Sequence, residues 1–208
     1  MTKVALAFLD CEFGGLDPEL HDITEIGVIV TDYRLAELSS AEWKVLARPE
    51  RITPEAAAIF GYDPERWARE AVPVRRALTE LAALLPAGHT VVPAGQNVRM
   101  DVLFLEKAYK ACGLTSPFDY HVIDLATLFY AWSLVAGEQL SALSLRQAAN
   151  QAGLARSGTE HHALEDARLS LDTFRHFIGR LALRRPADEE PTALASALGL
   201  AQGSGSRS

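Results

Sequence analysis

The hydrophobic pattern of the first 47 residues predicts three β-strands. An apolar run over 4–9 has the length of a buried strand, and a second run covers 25–32. A third strand is predicted over 42–47. Because no helical periodicity separates the three and their connections are short, we expect an antiparallel meander.

The middle of the chain changes to helical patterning. Positions 53–54 and 63–64 each pair an N-cap residue, Thr or Asp, with a proline at the first helical position. Residues 74–85 then carry apolar side chains at helical spacing and end before a proline. These patterns predict two short helices followed by a longer one.

Strands and helices alternate in the second half. Short strands are predicted over 90–92 and 122–123, separated by a helix that Asn97 caps and that ends near residue 111. Further helices are predicted over 125–135, from a capping box at Ser144 to about Gly153, and over 162–183. Since helices separate the last two strands, we expect them to run parallel to part of the meander. The predicted fold class is α/β, a mixed sheet with helices on its faces.

The end of the chain differs from the rest in composition. Residues 186–191 resemble a linker, and residues 203–208 resemble a flexible end or an added terminal sequence. Residues 193–201 could form a small helix that docks a polymerase or another protein, or could be a frayed terminus. We therefore predict one domain over 1–183 and a flexible linker and tail over 184–208.

The bulk composition narrows the class of protein. At 208 residues, 49% hydrophobic and 23% charged, the chain suits a globular domain with a substantial core. No apolar run approaches the roughly 20 residues of a membrane span, so no membrane partner is expected. Cys11 and Cys112 are the only cysteines, which favours a reducing cytoplasm. The net charge of −7 argues against a broad basic surface but not against a nucleic-acid enzyme whose bound cations reverse the local sign.

Asp10 and Glu12 follow the first apolar run and form the first candidate site. Side chains alternate across a strand, so both acids point to one side and Cys11 to the other. Two adjacent carboxylates repel each other unless a cation lies between them, and hard oxygen ligands suit Mg²⁺ or Mn²⁺. A solvated strand end is the alternative interpretation of this stretch alone.

Two further clusters carry candidate chemistry. Asp101 lies in the first turn of the helix predicted to begin at Asn97, where the helix dipole alone would favour an acid. His161 and Asp166 are five residues apart, a rotation of about 140° on one helix. They can face one pocket only if His161 precedes that helix. His162 is predicted to begin the helix and to take no part in the chemistry.

The three clusters in this order, D-x-E…N-x-x-x-D…H-x-x-x-x-D, resemble the DEDDh 3′→5′ exonucleases. That family has a ribonuclease-H-like fold and includes the proofreading epsilon subunit, ribonuclease T and oligoribonuclease. The resemblance covers about residues 4–181. It extends to Glu25-Ile26-Gly27, to residues 54–56 before Phe60-Gly61, and to residues 161–167.

The resemblance implies a two-metal phosphodiesterase that releases nucleoside 5′-monophosphates from the 3′ ends of single-stranded DNA or RNA. Two Mg²⁺ ions, with Mn²⁺ as a substitute, would stand roughly 3.5–4 Å apart. The implied metal ligands and catalytic acids are Asp10, Glu12, Asp101 and Asp166. His161 would be the general base, because the ordinary histidine pKa of roughly 6.5 suits proton acceptance near neutrality.

Departures from the family pattern fall where the substrate would be held. Two hydroxyl residues are common in the family where this chain has Phe13 and Gly14, a histidine where it has Gln96, and an aromatic residue where it has Met100. The residues expected to contact the terminal nucleotides are Phe13, Gly14, Leu16, Phe60, Asn97 and Met100.

The resemblance leaves the substrate open. Residues 15–19 and 30–32 are more similar to oligoribonuclease, whereas residues 52–55 and 96–98 are more similar to the proofreading group. We favour DNA, with short RNA as the alternative. A non-catalytic nucleic-acid-binding module with a docking tail is a further alternative, although such a module has no need for four acids and a histidine. The oligomeric state stays open.

Overall fold

The computed structural model describes residues 3–154 and 161–183, which form a five-stranded sheet with helices on both faces. The strands are β1 (Lys3–Phe13), β2 (Ile23–Asp32), β3 (Glu37–Lys44), β4 (His89–Gly95) and β5 (Ile123–Asp124), in the order β3-β2-β1-β4-β5. The first three form an antiparallel meander, while β4 runs parallel to β1 and β5 parallel to β4. The predicted mixed α/β sheet is confirmed.

The helices come close to their predicted bounds. They are α1 (Pro54–Ile59), α2 (Pro64–Glu70), α3 (Val74–Leu84), α4 (Arg99–Ala111), α5 (Leu125–Ala136), α6 (Leu145–Gln151) and α7 (Ala163–Leu183), with a 3₁₀ turn at Pro49–Arg51. The side chains of Thr53, Asp63 and Ser144 accept hydrogen bonds from first-turn amides, which confirms their predicted role as N-caps. The predicted linker and tail over 184–208 lie outside the described residues.

Two strands differ from their predicted bounds. β1 continues to Phe13, because its backbone still pairs with β2 beyond residue 9, with Glu12 opposite Glu25. The two acids therefore lie within the strand rather than past its end. β3 occupies Glu37–Lys44 instead of 42–47, since this edge strand is mostly polar and its apolar pattern is weak.

The start of α4 corrects the prediction for Asn97. Asn97 has a left-handed φ of +52°, Val98 occupies the N-cap position without a side-chain hydrogen bond, and the helix begins at Arg99. Asparagine tolerates the left-handed region better than most residues, so it turns the chain here instead of capping the helix. Asp101 still lies in the first turn.

Alternate residues of β1 divide between two hydrophobic cores. Ala7, Leu9 and Cys11 pack with α3 and α4, whereas Leu6 and Phe8 pack with α5, α6 and α7. Because the side-chain period of a strand is two, Asp10 and Glu12 continue the row of Leu6 and Phe8. The two acids therefore lie on the face of the sheet that α7 covers.

Among residues 3–154 and 161–183, none of the helices combines the length and apolarity that a bilayer crossing needs.

The first turn of α7 lies directly on β2 at Gly27. A Cβ at this position would overlap the backbone of Ala163 and Leu164. Glycine is therefore needed here for close approach of the helix to the sheet rather than for an unusual backbone angle.

We expect Gly27→Ala to lower the free energy of unfolding by about 1–3 kcal/mol, because the methyl group must displace the helix backbone. Gly179→Ala on the same helix is the matched control, since a Cβ there meets no atom within 4 Å. That change should be neutral or stabilising by up to about 1 kcal/mol through helix propensity. Urea denaturation of both variants measures the difference, and equal midpoints would contradict the close packing of α7 on Gly27.

Candidate active site

Asp101 reaches from α4 to the backbone of β1. Its Oδ1 accepts a hydrogen bond from the Cys11 amide at 2.8 Å. The pairing of β1 with β4 ends at Phe8 and Ala94, so the Asp101 carboxylate takes over where the neighbouring strand stops. Asp101 is thereby held beside the residue that separates Asp10 from Glu12.

Asp101 is a buried carboxyl whose surroundings disfavour its charged form. Burial raises the pKa of Asp101 to about 8, and the nearby Asp124 adds to the rise, while the amides of Cys11 and Asp101 oppose it. Burial also raises the pKa of the Cys11 thiol, and Asp101, Asp10 and Glu12 all contribute to that shift. A cation near these acids would oppose both shifts, because its charge favours the ionised carboxylate and the thiolate.

Glu12, His161 and Asp166 converge on one point. One potential ligand atom from each lies within 4.8 Å of the other two. His161 Nδ1 is 3.3 Å from Asp166 Oδ2. Glu12 and Asp166 are 8% and 3% exposed, whereas the His161 side chain is 44% exposed. The site therefore has buried carboxylates and an imidazole on its solvent side.

The backbone before α7 places His161 as predicted. The helix begins at Ala163, and the His161 amide donates to the carbonyl of Ile59 at the end of α1, at 3.0 Å. His162 precedes the helix by one residue instead of beginning it, and its carbonyl accepts from the Asp166 amide at 3.0 Å. The His162 side chain lines a separate cavity of about 700 Å³, together with Lys44, Arg66 and Leu154 among others.

The residues predicted to contact substrate differ in accessibility. Leu16 is 79% exposed and Asn97 is also exposed. Met100 is half-buried against the core under α4, and the half-buried Phe13 stacks on Phe104 with ring centroids 3.9 Å apart. Contact of these four side chains with nucleic acid stays a prediction.

Two of the predicted substrate contacts are wrong. Phe60 is 1% exposed and packs against Tyr62 and Trp67, so its ring is not available to a base. Gly14 is buried, and both its amide and its carbonyl are hydrogen-bonded within the protein, to Asp22 and Thr53. Phe60 and Gly14 therefore serve the packing of the protein rather than contact with substrate.

Two glutamates to which the sequence analysis gave no role bind the start of α7. Glu25 Oε1 accepts from the Ala163 amide at 3.0 Å, and Glu42 Oε1 accepts from the Leu164 amide at 3.1 Å. The first turn of a helix leaves such amides without intrahelical partners. Burial raises the pKa of Glu42, and Glu25 adds to the shift. For Glu25, the signal available in the sequence was an acidic residue inside the apolar run of β2.

A family match covers the whole stretch of the chain that contains these residues. A family model for exonucleases, RNase_T, matches residues 7–174. This chain belongs to that exonuclease family. The match contains all three clusters and confirms the resemblance seen in the sequence.

Relatives in this exonuclease family include oligoribonucleases. That of Sodalis glossinidius is 30% identical over 176 residues, which are 80% of this chain and 89% of the relative. That of Vibrio cholerae serotype O1 is 28% identical over 133 residues, 59% of this chain and 72% of the relative.

Solved structures share the fold. An exonuclease I–single-stranded DNA complex from E. coli in a zinc-bound form superposes with a TM-score of 0.70 at 17% identity, covering 88% of this chain and 42% of that one. A complex of the same enzyme with a dA16 oligonucleotide gives 0.70 at 18% identity, covering 88% and 44%. The chain thus spans about two fifths of the exonuclease I chains, and at these identities the likeness shows the ribonuclease-H-like fold.

The raised pKa of Asp101 predicts how the stability of the metal-free protein depends on pH. Between the ordinary value of 3.8 and about 8, the folded protein holds this proton more tightly than the unfolded chain does. The contribution of Asp101 to stability is therefore greatest at low pH and is lost as the pH rises through this range.

With EDTA present, we expect the melting temperature of the wild type to fall relative to that of Asp101→Asn as the pH is raised from about 4 to about 8. Added Mg²⁺ should recover the wild type more than the variant. Parallel melting curves for the two proteins over this range would contradict a raised pKa of Asp101 in the folded protein.

Proposed function

We propose that this protein is a divalent-cation-dependent 3′→5′ exonuclease that removes nucleoside 5′-monophosphates from single-stranded nucleic acid. The observation that carries the proposal is the convergence of Glu12, His161 and Asp166 beside the end of β1, in a chain of the exonuclease family. A protein that only binds nucleic acid has no use for buried acids directed at one point with an imidazole beside them.

The chemistry of the donors supports a site for hard cations. Asp10, Glu12, Asp101 and Asp166 would hold two Mg²⁺ ions, or Mn²⁺ in their place, because all four offer carboxylate oxygens. The raised pKa of Asp101 fits this assignment, since a cation would relieve the cost of its charge. When bound, such a metal pair supplies an activated water nucleophile and stabilises the leaving 3′-oxygen.

His161 is proposed to take the proton from the attacking water. Its Nδ1 faces Asp166, and the tautomer with a proton on Nδ1 donates to that carboxylate. The same tautomer leaves Nε2 as the basic nitrogen. Asp166 thereby orients the imidazole, and the 44% exposure of His161 gives water access to it. General-base assistance of this kind is typically worth 10²–10⁴-fold in rate.

Short single-stranded RNA and single-stranded DNA are both candidate substrates. Oligoribonucleases match over most of this chain, which favours short RNA. DNA remains the second candidate, because exonuclease I, which shares the fold, has been solved with single-stranded DNA.

We expect 5′-labelled single strands to yield a ladder of products, each one nucleotide shorter at the 3′ end, when Mg²⁺ or Mn²⁺ is present. EDTA should stop the reaction, and Asp10→Asn should nearly abolish it while the metal-free protein stays folded. Short and long strands of RNA and DNA, compared by kcat/KM, identify the substrate. Binding without shortened products would refute the enzyme and leave a binding module.

Replacing the two adjacent histidines separates their roles. We expect His161→Ala to lose about 10²–10⁴-fold in kcat, because the general base is gone. His162→Ala should stay within a few-fold of wild type, since its side chain lines a different cavity. Single-turnover rates at saturating Mn²⁺ measure the contrast. A large loss of kcat in His162→Ala, with a nearly wild-type kcat in His161→Ala, would show that the general base is assigned to the wrong residue.

We also propose that residues 1–183 contain all of the catalytic machinery and that 184–208 form a linker and tail. The catalytic residues and the helix that carries the last of them end at Leu183. Deletion of residues 186–208 should therefore leave the rate on short oligonucleotides nearly unchanged. Loss of activity or of the folded state on truncation would mean that the tail packs on the domain or across a dimer.

A further inference from the structure

We propose that Glu25 is a positioning residue that fixes where α7 holds His161 and Asp166 against the acids of β1. The inference rests on the proposed function, because it assumes that His161 and Asp166 act together with Asp10 and Glu12. Glu25 itself is not placed to touch substrate, since it is fully buried.

One carboxylate joins three elements. Glu25 projects from β2, its Oε1 accepts from the Ala163 amide of α7, and its Oε2 lies 3.0 Å from Lys44 Nζ on β3. The Lys44 side chain is 7% exposed. A buried carboxylate is costly unless it is paired, and Lys44 supplies the pairing while leaving one oxygen for the helix.

Strand register connects this contact to the catalytic acids. Glu25 lies opposite Glu12, and Gly27 lies opposite Asp10, in the antiparallel pair of β1 and β2. Glu25 and Gly27 are two residues apart, so they share the face on which α7 rests. The helix backbone touches β2 at the two positions that are paired with the two acids of β1. A shift of α7 on these residues would therefore change the distance from Asp166 to both acids.

Lys44 is itself held in place. Its ammonium lies 4.9 Å from the centre of the Trp67 ring, and Trp67 Nε1 donates to the Thr24 carbonyl at 3.1 Å. Thr24 directly precedes Glu25 in β2. The Lys44 ammonium therefore cannot draw Glu25 away from Ala163 without disturbing Trp67. The Glu25 carboxylate is thus a fixed acceptor at the start of α7.

The position of the contact along α7 distinguishes it from general packing. The hydrophobic residues of α7 hold the helix against the sheet along its length. Glu25 acts at Ala163, two residues after His161 and three before Asp166. A small displacement of reacting groups costs far more in rate than in stability, up to about 10²-fold for 1 Å.

Two double variants isolate the hydrogen bond to Ala163. Glu25→Gln with Lys44→Met keeps an oxygen acceptor, and Glu25→Leu with Lys44→Met removes it, while neither leaves an unpaired buried charge. We expect the Gln/Met protein to keep kcat within a few-fold of wild type. The Leu/Met protein should lose about 10- to 100-fold in kcat with an unchanged KM for the oligonucleotide. It should also need more Mn²⁺ for half-maximal rate.

Arg175→Met is the matched control on the same helix. Arg175 Nη2 donates to the Leu35 carbonyl at 2.6 Å, and this contact ties α7 to the connection between β2 and β3. Removing it should lower the melting temperature but leave kcat and the Mn²⁺ dependence unchanged. A loss of kcat in this control equal to that of the Leu/Met protein would show that general loosening of α7 is responsible, and would overturn the proposal.

Glu25→Asp covers the case in which the Leu/Met protein does not fold. It keeps the charge for Lys44 but is one methylene shorter, so we expect a folded protein with a kcat reduced at least several-fold. Wild-type kcat in Glu25→Asp, or equal kcat in the two double variants, would overturn the proposal.

Calorimetric titration with Mn²⁺ separates this inference from the proposed function. If the wild type lacks exonuclease activity, the proposed function fails. The positioning role is then still tested by Mn²⁺ affinity, which should be lower in the Leu/Met protein than in the Gln/Met protein. Equal affinities would refute it.

Discussion

Repulsion between carboxylates gathered at the end of β1 is the constraint on which the rest of the site depends. At an effective dielectric constant of about 20, two unit charges 4 Å apart repel by about 4 kcal/mol. Glu12, Asp101 and Asp166 are all at most 8% exposed, so water relieves little of this cost. Burial is the main cause of the raised pKa of Asp101, and the nearby Asp124 adds to the rise. Under the proposed function, the protein must hold these groups together before a cation binds.

The fold meets this constraint by holding the four acids from three elements, β1, α4 and α7. Asp10 and Glu12 lie in the strand pairing of β1 with β2, and Asp101 is tied to the Cys11 amide from α4. Asp166 comes from α7, whose first turn is bound by Glu25 and Glu42. None of these anchors requires a metal ion. The acids therefore stay in place through sheet hydrogen bonds and helix contacts, which matches the preorganisation that catalysis by positioned charge demands.

Local chemistry explains which parts could be predicted from the sequence. The run ending in Asp10 and Glu12, the caps at Thr53, Asp63 and Ser144, and a His161 outside the helix all depend on neighbouring residues, so they could be read from the chain. The left-handed backbone of Asn97 could not be predicted, because asparagine is common both at N-cap positions and in turns.

Long-range contacts explain the errors and omissions. Phe60 packs against Trp67 of α2, and Gly14 is glycine because the carbonyl of Arg51 lies against it. The role of Glu25 depends on a residue 138 positions away in the chain. The order of acids along the sequence reveals the family, but only the assembled sheet reveals what holds α7 in place.

Anomalous X-ray diffraction from crystals grown with Mn²⁺ and a nucleoside 5′-monophosphate tests the central claim most directly. The account predicts manganese peaks among the carboxylates of Asp10, Glu12, Asp101 and Asp166, with the phosphate of the nucleotide bound to the metal and His161 on the solvent side. The same peaks should be lost in Asp10→Asn. Manganese bound only elsewhere, for example at the cavity that contains Glu42, Glu165 and Asp172, would contradict it.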